Sequence, residues 1–401
     1  MEIYLDNAAT TRPYEEVIDF QDRIMRECYG NPSSLHGKGF EAEKYIRYAQ
    51  KTFADILKVE EKELLFTSGG TESNNMAIIG CAEAASRRGN HIVTTALEHP
   101  SVYNPVRFLE NHGFTSDTVS SDEKGRLDLE ALAAALTPDT VLVSIMGVNN
   151  EIGTVQPLAD AVRIIREKCP EAVIHVDGIQ TFAKIPVQPK KLGIDAFSVS
   201  GHKFHAPKGT GLLWVRDGIR MNPLLFGGGQ QRDMRPGTQN VPGIAAMAKA
   251  AEIENADLPE KIQKMYALRE YFIGEALKIE GVRLNGGLRA GDFTLSEDPE
   301  ECAAPHVVSL GFEDIKSEVL LHALSDRGIY VSGGSACSSN HPNVSRTLKA
   351  ISVPNEYIKS TLRFSFSYDT TQEELKTCIE ALNEMLPVLR RYTEGGRKKR
   401  R

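Results

Sequence analysis

Short apolar runs alternate with longer amphipathic stretches between about residues 62 and 215, and this alternation limits the folds open to the chain. The apolar runs have the length and the β-branched content of strands: ELLFT, HIVTTALE, VLVSIMGV, AVIHV, AFSVS and GLLWV. The intervening stretches, such as DAVRIIREKC, have helical spacing. Strands that alternate with helices predict an α/β fold with a mostly parallel sheet covered on both faces.

The pattern changes after Gly243, where a long helical stretch begins. The segments that follow predict a smaller α+β unit: HVVSLGF, SEVLLHALSDRG, STLRFSFS and TQEELKTCIEALNEMLPVLRRY. We expect a large domain over residues 15–255 and a small domain formed by residues 1–14 and 256–390. Residues 391–401 are predicted to be a basic, disordered tail, and docking of an acidic or RNA partner to it is a weaker alternative.

Composition and charge exclude some classes of function. The formal net charge of -7 offers no general attraction to nucleic acid or to an anionic membrane. The first residues, MEIYLDNAATTRPYEE, resemble neither a signal peptide nor a transit peptide, and no later stretch is apolar for long enough to span a membrane. We therefore predict a cytoplasmic protein with no direct nucleic-acid or membrane partner.

The six cysteines are scattered through the chain, at positions 28, 81, 169, 302, 337 and 378. They form no C-x-x-C pair, so the sequence predicts neither disulfides nor a metal site. Five of them lie in helical or mixed segments typical of buried thiols. Cys337 differs, because it lies in SGGSACSSNHPNVS, a small and polar run typical of a mobile loop.

Polar residues follow five of the apolar runs directly. ELLFT is followed by SGGTES, HIVTTALE by His99, VLVSIMGV by NNE, AVIHV by Asp177 and AFSVS by GHK. Ligands of open α/β sheets bind beyond the carboxyl ends of the strands. We therefore expect these five strand ends to meet at one site.

Three of these segments suggest a particular cofactor. Gly70 and Thr71 lie where backbone N–H groups could hold a phosphate, and Asp177 could pair with a protonated pyridine nitrogen. Lys203 ends a buried run, where burial would lower its pKa and favour a Schiff base. Together they predict pyridoxal 5'-phosphate. Ordinary explanations also exist: Thr71 or Asp177 as a helix N-cap, and Lys203 as a solvated loop lysine.

Nine motifs, in this order, resemble the cysteine desulfurases: YLDNAATT, GNPSSLHGKG, FTSGGTESNN, EHPSV, SIMGVNNEIGTVQP, HVDGIQ, SVSGHKFHAPKGTG, MRPGTQNVPG and SGGSACSS. These enzymes belong to the class V aminotransferase group of fold type I pyridoxal phosphate enzymes. The resemblance runs from about residue 3 to about residue 388. It implies a large domain whose mostly parallel, seven-stranded sheet is covered by helices, with a smaller α+β domain.

The resemblance also assigns cofactor contacts. Asp177 resembles the partner of the pyridine nitrogen, and Gln180 resembles the donor to the phenolic oxygen of the ring. Phosphate ligands are implied at Thr71, Ser200 and His202. Thr238 resembles the residue that reaches the phosphate of a neighbouring subunit, which implies a homodimer.

Catalytic and substrate-binding roles follow from the same resemblance. Lys203 resembles the Schiff-base lysine and α-proton base, His99 the imidazole stacked on the ring, and Cys337 the nucleophile that becomes a persulfide. Arg363 and Asn150 resemble the clamp for the substrate carboxylate; in STLRFSFS, Arg363 lies on the face opposite Leu362 and its apolar neighbours.

The implied reaction converts L-cysteine to L-alanine and passes sulfur to an acceptor for iron–sulfur cluster assembly or tRNA thiolation, as the length of the loop after Cys337 suggests. Selenocysteine lyase, an aminotransferase without a thiol, and a scaffold that passes sulfur are the alternatives. Departures from the family pattern are Gly178, where alanine is frequent, and Pro236, where serine is frequent; neither removes a reacting group.

Overall fold

The structure, a computed structural model, describes residues 2–286, 303–333 and 345–398, with side chains as far as residue 391. The described strands are β1 (Ile3–Tyr4), β2 (Leu64–Thr67), β3 (His91–Thr95), β4 (Thr115–Val119), β5 (Thr140–Met146), β6 (Val173–Asp177), β7 (Ala196–Ser200), β8 (Gly211–Val215), β9 (Val282–Leu284), β10 (Val307–Phe312), β11 (Ile329–Tyr330), β12 (Ser332–Gly333) and β13 (Thr361–Ser365). The described helices are α1 (Glu15–Glu27), α2 (Gly37–Leu57), α3 (Gly70–Asn75), α4 (Cys81–Ala85), α5 (Pro100–Glu110), α6 (Leu129–Ala135), α7 (Leu158–Lys168), α8 (Pro189–Leu192), α9 (Val241–Asn255), α10 (Leu258–Ala276), α11 (Ser317–Ser325), α12 (Arg346–Ala350), α13 (Asn355–Ile358) and α14 (Gln372–Lys398).

The central sheet has seven strands in the order β2-β8-β7-β6-β5-β3-β4. Strands β7, β6, β5, β3 and β4 are parallel, and β8 runs antiparallel to both β7 and β2. The mostly parallel, helix-covered sheet predicted from the sequence is confirmed. Because neighbouring parallel strands end at the same edge, the polar segments that follow β3, β5, β6 and β7 are brought together.

Helices cover both faces of this sheet. Leu142 and Val143, adjacent in β5, are fully buried in different apolar clusters. Val143 lies in the cluster that contains residues of α1, α2 and α9, and Leu142 in the one that contains residues of α4 and α5. Burial on both faces explains why the strands of this sheet are continuous apolar runs in the sequence.

A third apolar cluster packs around the antiparallel sheet β12-β13-β10-β9. It takes side chains from α10, α11 and α14, and from Ile3 and Leu5 near the amino terminus. The helical stretch after Gly243 forms two helices, because Asp257 adopts a positive φ of 54° between α9 and α10, and Pro259 lies in the first turn of α10. Helix α14 extends to Lys398, into the segment predicted as a tail; the predicted domain boundaries stay a prediction.

Four of the five cysteines predicted as buried thiols are confirmed as buried and free: Cys28, Cys81, Cys169 and Cys378. The fifth, Cys302, lies outside the described residues. Burial raises the pKa of Cys81 to about 12, so its thiol is unreactive at neutral pH. None of the helices described here is both long enough and apolar enough to cross a membrane.

Candidate active site

A cavity of about 600 Å³ lies at the carboxyl edge of the central sheet. Its wall includes most residues predicted for the site: Gly70, Thr71, His99, Asn150, Asp177, Gln180, Ser200, His202, Lys203 and Arg363. Thr238 is exposed and is not in this wall. The predicted nucleophile, Cys337, lies outside the described residues.

The turn between β2 and α3 requires glycine at two successive positions. Gly69 adopts φ 154° and ψ 179°, a conformation that is open almost only to glycine. A Cβ on Gly70 would lie 2.1 Å from Ile179 Cδ1. Because α3 begins at Gly70 with Gly69 as its N-cap, Thr71 is not a capping residue, and its exposed side chain lines the cavity.

Asp177 is buried at the end of β6 and carries two hydrogen bonds. Its Oδ2 accepts from Asn74 Nδ2 at 2.8 Å and its Oδ1 accepts from the Ile179 N–H at 3.0 Å. Burial raises the pKa of Asp177, while His99 and the two donors oppose that rise. No helix starts here, so Asp177 is not a helix N-cap. A buried carboxyl of this kind favours a cationic partner in the cavity.

Lys203 is half-buried in a 3-10 turn after β7. Its Nζ donates to the carbonyl oxygens of Ala8 at 2.8 Å and Ala9 at 2.7 Å, so the amine lies inside the cavity and is not a solvated loop lysine. The neighbouring His202 contacts Thr10 Oγ1 through Nδ1 at 3.2 Å. Burial, with Lys203 adjacent, lowers the pKa of His202 to about 4, so it is neutral at pH 7 and can donate one N–H to an anion.

His99 caps helix α5, and this fixes its tautomer when the ring is neutral. Its Nδ1 accepts the Ser101 backbone N–H at 3.1 Å and lies 2.7 Å from Ser101 Oγ. An accepting Nδ1 carries no proton, so the ring proton of neutral His99 is on Nε2. Since His99 lines the cavity, the imidazole is a candidate acid or base for a ligand held there.

Gln180 is held from two sides. Its Nε2 donates to the Ala8 carbonyl at 3.0 Å, and its Oε1 lies 3.0 Å from His306 Nε2. His306 precedes β10 and was not predicted as a site residue, because no motif in the sequence marks it.

Arg363 of β13 is 2% exposed and reaches the cavity from the antiparallel sheet. Its Nη1 donates to the Asn150 carbonyl at 2.8 Å, and its Nη2 pairs with Asp6 Oδ1 at 2.9 Å. Asn150 therefore holds Arg363 through its backbone while it also lines the cavity. Asp6 lies in the YLDNAATT motif, but the sequence does not pair it with Arg363.

Two carboxyl groups of the cavity wall, both on half-buried residues, were also missed. Glu98 Oε1 accepts from Thr95 Oγ1 and from the Met146 N–H, each at 2.8 Å, and burial followed by the charge of Asp177 raises the pKa of Glu98 to about 8. Glu151 accepts from Ser345 Oγ at 2.5 Å. Both carboxyls directly neighbour predicted residues, His99 and Asn150, and this adjacency was the available signal.

Residues 3–378 match the family described as aminotransferase class-V. The chain belongs to this family of pyridoxal phosphate enzymes, which confirms the resemblance read from the sequence.

Its relatives within the family include proteins named as cysteine desulfurases. "Cysteine desulfurase IscS" of Dictyoglomus turgidum is 40% identical over 390 residues, which are 97% of this chain and 95% of that protein. A solved structure described as a NifS-like protein is 37% identical, with a TM-score of 0.88 over 97% of this chain and 100% of that one. Another, "SspA in complex with cysteine", is 30% identical, with a TM-score of 0.75 over 91% of this chain and 99% of that one.

Proposed function

We propose that this chain is a pyridoxal phosphate-dependent L-cysteine desulfurase. It converts L-cysteine to L-alanine and transfers the sulfur to its own Cys337, for delivery to iron–sulfur cluster assembly or tRNA thiolation. The observation that carries the proposal is the convergence of Lys203, Asp177, His99 and Arg363 on one cavity, together with curated cysteine desulfurases that match 97% of the chain.

The residues of the cavity suit pyridoxal phosphate. Asp177 offers a buried carboxyl to a protonated ring nitrogen, and the burial that raises its pKa also favours a cationic partner beside it. The close contact at Gly70, where a Cβ would meet Ile179, keeps side-chain bulk out of the predicted phosphate cradle. Thr71, Ser200 and His202 add hydroxyl and N–H donors at the same end of the sheet.

When bound, the cofactor supplies an electron sink for bonds broken next to the substrate amine. Lys203 is the residue that would hold it and then move the substrate α-proton. Its Nζ is already inside the cavity against two carbonyl oxygens. His99, with its Nε2–H, is positioned to exchange a proton with a ligand.

Arg363 is the proposed anchor for the substrate carboxylate. Its Nη1 gives one N–H to Asn150 and its Nη2 gives one to Asp6, so each terminal nitrogen keeps a second N–H. Donors therefore remain for a bidentate grip on a carboxylate. "SspA in complex with cysteine", whose ligand is an amino acid, supports this substrate class.

Sulfur transfer needs no external oxidant or reductant. The Cys337 thiolate attacks the substrate sulfur, an S–S bond forms, and the C–S bond breaks with its electron pair left on carbon. That carbon takes a proton, and the product is released as alanine. The described residues on either side of the segment that carries Cys337 support this role. Ser332, before it, pairs with Arg363 in the antiparallel sheet, and Ser345, after it, lines the cavity.

A homodimer is part of the proposal. Thr238 is exposed, outside the cavity of its own chain, on a surface segment that also carries Phe226, a residue that is 87% exposed. A second copy of the chain would cover such a residue and receive Thr238 at its own phosphate site.

The test uses the purified holoenzyme, Cys337→Ala and the matched control Ser338→Ala. All three proteins should acquire the visible absorption band of lysine-bound pyridoxal phosphate. Cys337→Ala should lose sulfide and alanine release from L-cysteine by more than about 100-fold, because the nucleophile is gone. The serine variant should keep both activities.

Two results would count against the proposal in different ways. If native protein with added pyridoxal phosphate forms no band, the cofactor assignment is wrong. If the band forms and Cys337→Ala keeps full turnover, the enzyme works without this thiol, as an aminotransferase would.

A further inference from the structure

Three parts of the chain that are distant in sequence meet at the amide of Gln180. Gln180 follows β6 in the central sheet, Ala8 belongs to the amino-terminal segment, and His306 directly precedes β10. All three are buried, with His306 only 1% exposed. The Gln180 amide lies 3.0 Å from the Ala8 carbonyl oxygen on one side and 3.0 Å from His306 Nε2 on the other.

The chemistry of these partners permits one arrangement of the protons. A backbone carbonyl can only accept, so the NH2 group of Gln180 must face Ala8 and its Oε1 must face His306. His306 must then donate from Nε2. Its Nδ1 is buried and has no hydrogen-bond partner among the described residues, which fits a ring nitrogen without a proton.

The opposite orientation of the amide is disfavoured at both contacts. It would place Oε1 against the Ala8 carbonyl oxygen and would need a His306 ring whose proton had moved to Nδ1, for which the described part of the chain offers no acceptor. Burial, with Lys184 and Arg363 nearby, lowers the pKa of His306 well below its ordinary value, so the ring stays neutral. Ala8 and His306 therefore select the same orientation.

We propose that His306 is a positioning residue that orients the Gln180 amide, so that Gln180 presents an N–H and not an oxygen to the cofactor. The amide nitrogen has two hydrogens; one is taken by Ala8, and Gln180 lines the cavity. The second hydrogen is the donor for the phenolic oxygen of pyridoxal phosphate. This inference rests on the proposed function, because the recipient is the cofactor.

The role of the His306 side chain is separable from that of its backbone. The His306 carbonyl accepts from the Phe366 N–H at 2.9 Å, and this bond survives any side-chain substitution. A change in the ring alone thus leaves that contact between the two strand ends in place. What the substitution removes is the N–H donor to Gln180.

The experiment measures how the visible band of the lysine-bound cofactor changes with pH. A hydrogen bond donated to the phenolic oxygen draws negative charge from it, so the proton shared with the lysine nitrogen is released at lower pH. Without an oriented donor, the midpoint of the spectral change should move to higher pH, by roughly 0.5 to 1 pH unit. The holoenzymes compared are native protein, His306→Phe, Gln180→Ala and the double variant.

His306→Phe and Gln180→Ala should raise the midpoint by similar amounts, and the double variant should raise it no further, because His306 acts through Gln180. His91→Phe is the control: this imidazole is also buried and is bonded to Thr140, but it lies at the start of β3, away from the cavity. It should leave the midpoint unchanged. If His306→Phe does not yield folded holoenzyme, His306→Ala removes the donor without adding volume.

The outcomes separate this inference from the proposed function. If the native protein forms no visible band with pyridoxal phosphate, the proposed function itself is wrong. A native protein with the band, and a His306→Phe variant that loses thermal stability but keeps the native midpoint, would show that His306 only packs. Midpoint shifts that add in the double variant would likewise overturn the coupling through Gln180.

Discussion

Gly178, next to Asp177, has no room for a side chain. A Cβ at this position would lie 2.0 Å from Phe197 Cζ, and the ring of Phe197 is fully buried in β7. The family pattern often has alanine here, so this chain fills with an aromatic ring the space that a methyl group would need. The departure seen in the sequence is therefore explained by packing, and it leaves Asp177 in place.

Gly178→Ala should destabilise the protein by about 1 to 3 kcal/mol, because an interior packed to native density cannot absorb the overlap. Phe197→Leu in the same chain should relieve the contact, so the double variant should lose less than the sum of the two single variants. Urea unfolding of the four proteins measures this. Additive losses would mean that the two positions do not compete for the space.

At the scale of elements, a glutamine side chain forms hydrogen bonds with the backbone of the edge strand of the central sheet. Gln231 pairs with Phe66 of the edge strand β2 as a strand would: its Oε1 accepts from the Phe66 N–H at 2.6 Å and its Nε2 donates to the Phe66 carbonyl at 2.8 Å. Gln231 itself has a positive φ, and so do the next two residues, Arg232 and Asp233. The segment that leads to Thr238 is thus held against β2 at a cost in backbone conformation.

Gln231→Ala should loosen both β2 and the segment that carries residue 231, because two hydrogen bonds between them are lost. We expect amide hydrogen exchange within Leu64–Thr67 to become roughly 5- to 10-fold faster, as followed by mass spectrometry. Gln239→Ala, in the same segment, is the control and should keep the native rate. Unchanged exchange in Gln231→Ala would show that solvent replaces the side chain without loss.

At the scale of the whole molecule, the cavity forms where three parts of the chain meet. The central sheet provides Asp177 and Lys203, the antiparallel sheet provides Arg363, and the amino-terminal segment provides the carbonyls of Ala8 and Ala9. Glu98 is half-buried at this junction beside Asp177, with its Oε2 enclosed. Its protonation therefore affects the stability of the entire fold.

The pKa of Glu98 is raised from 4.5 to about 8, so between these values the folded protein keeps a proton that the unfolded chain releases. The free energy of unfolding should then fall as pH rises through this window, by about 1.4 kcal/mol per pH unit from this group. Glu98→Gln should remove that loss, so its stability relative to native protein should improve between about pH 5 and about pH 8.5.

Urea unfolding of cofactor-free protein measures this effect, since a bound pyridinium would add its own charge. The control is Glu83→Gln, which removes an exposed carboxyl on α4. Its free energy of unfolding should change with pH as that of the native protein does between about pH 5 and about pH 8.5. Parallel pH profiles for Glu98→Gln and native protein would contradict a raised pKa for Glu98.

Much of the fold and many of the candidate residues could be predicted from the sequence. The continuous apolar runs of β5, β6 and β7 identify strands buried on both faces, and parallel pairing then sends Asn150, Asp177 and Lys203 to one edge. These inferences need only local periodicity and the geometry of parallel sheets. Family motifs added the chemistry that periodicity does not contain.

The amino-acid sequence alone is enough to predict the alternation of strands and helices, the identity of the motifs and the edge of the sheet at which they lie. The pairing of Arg363 with Asp6 across 357 positions, and the contact of His306 with Gln180 across 126, are seen only in the folded chain. Such contacts leave no local pattern, because they arise when separately folded surfaces pack together. The orientation of each group in the cavity depends on these long-range partners, and their positions follow from the packing of the whole chain.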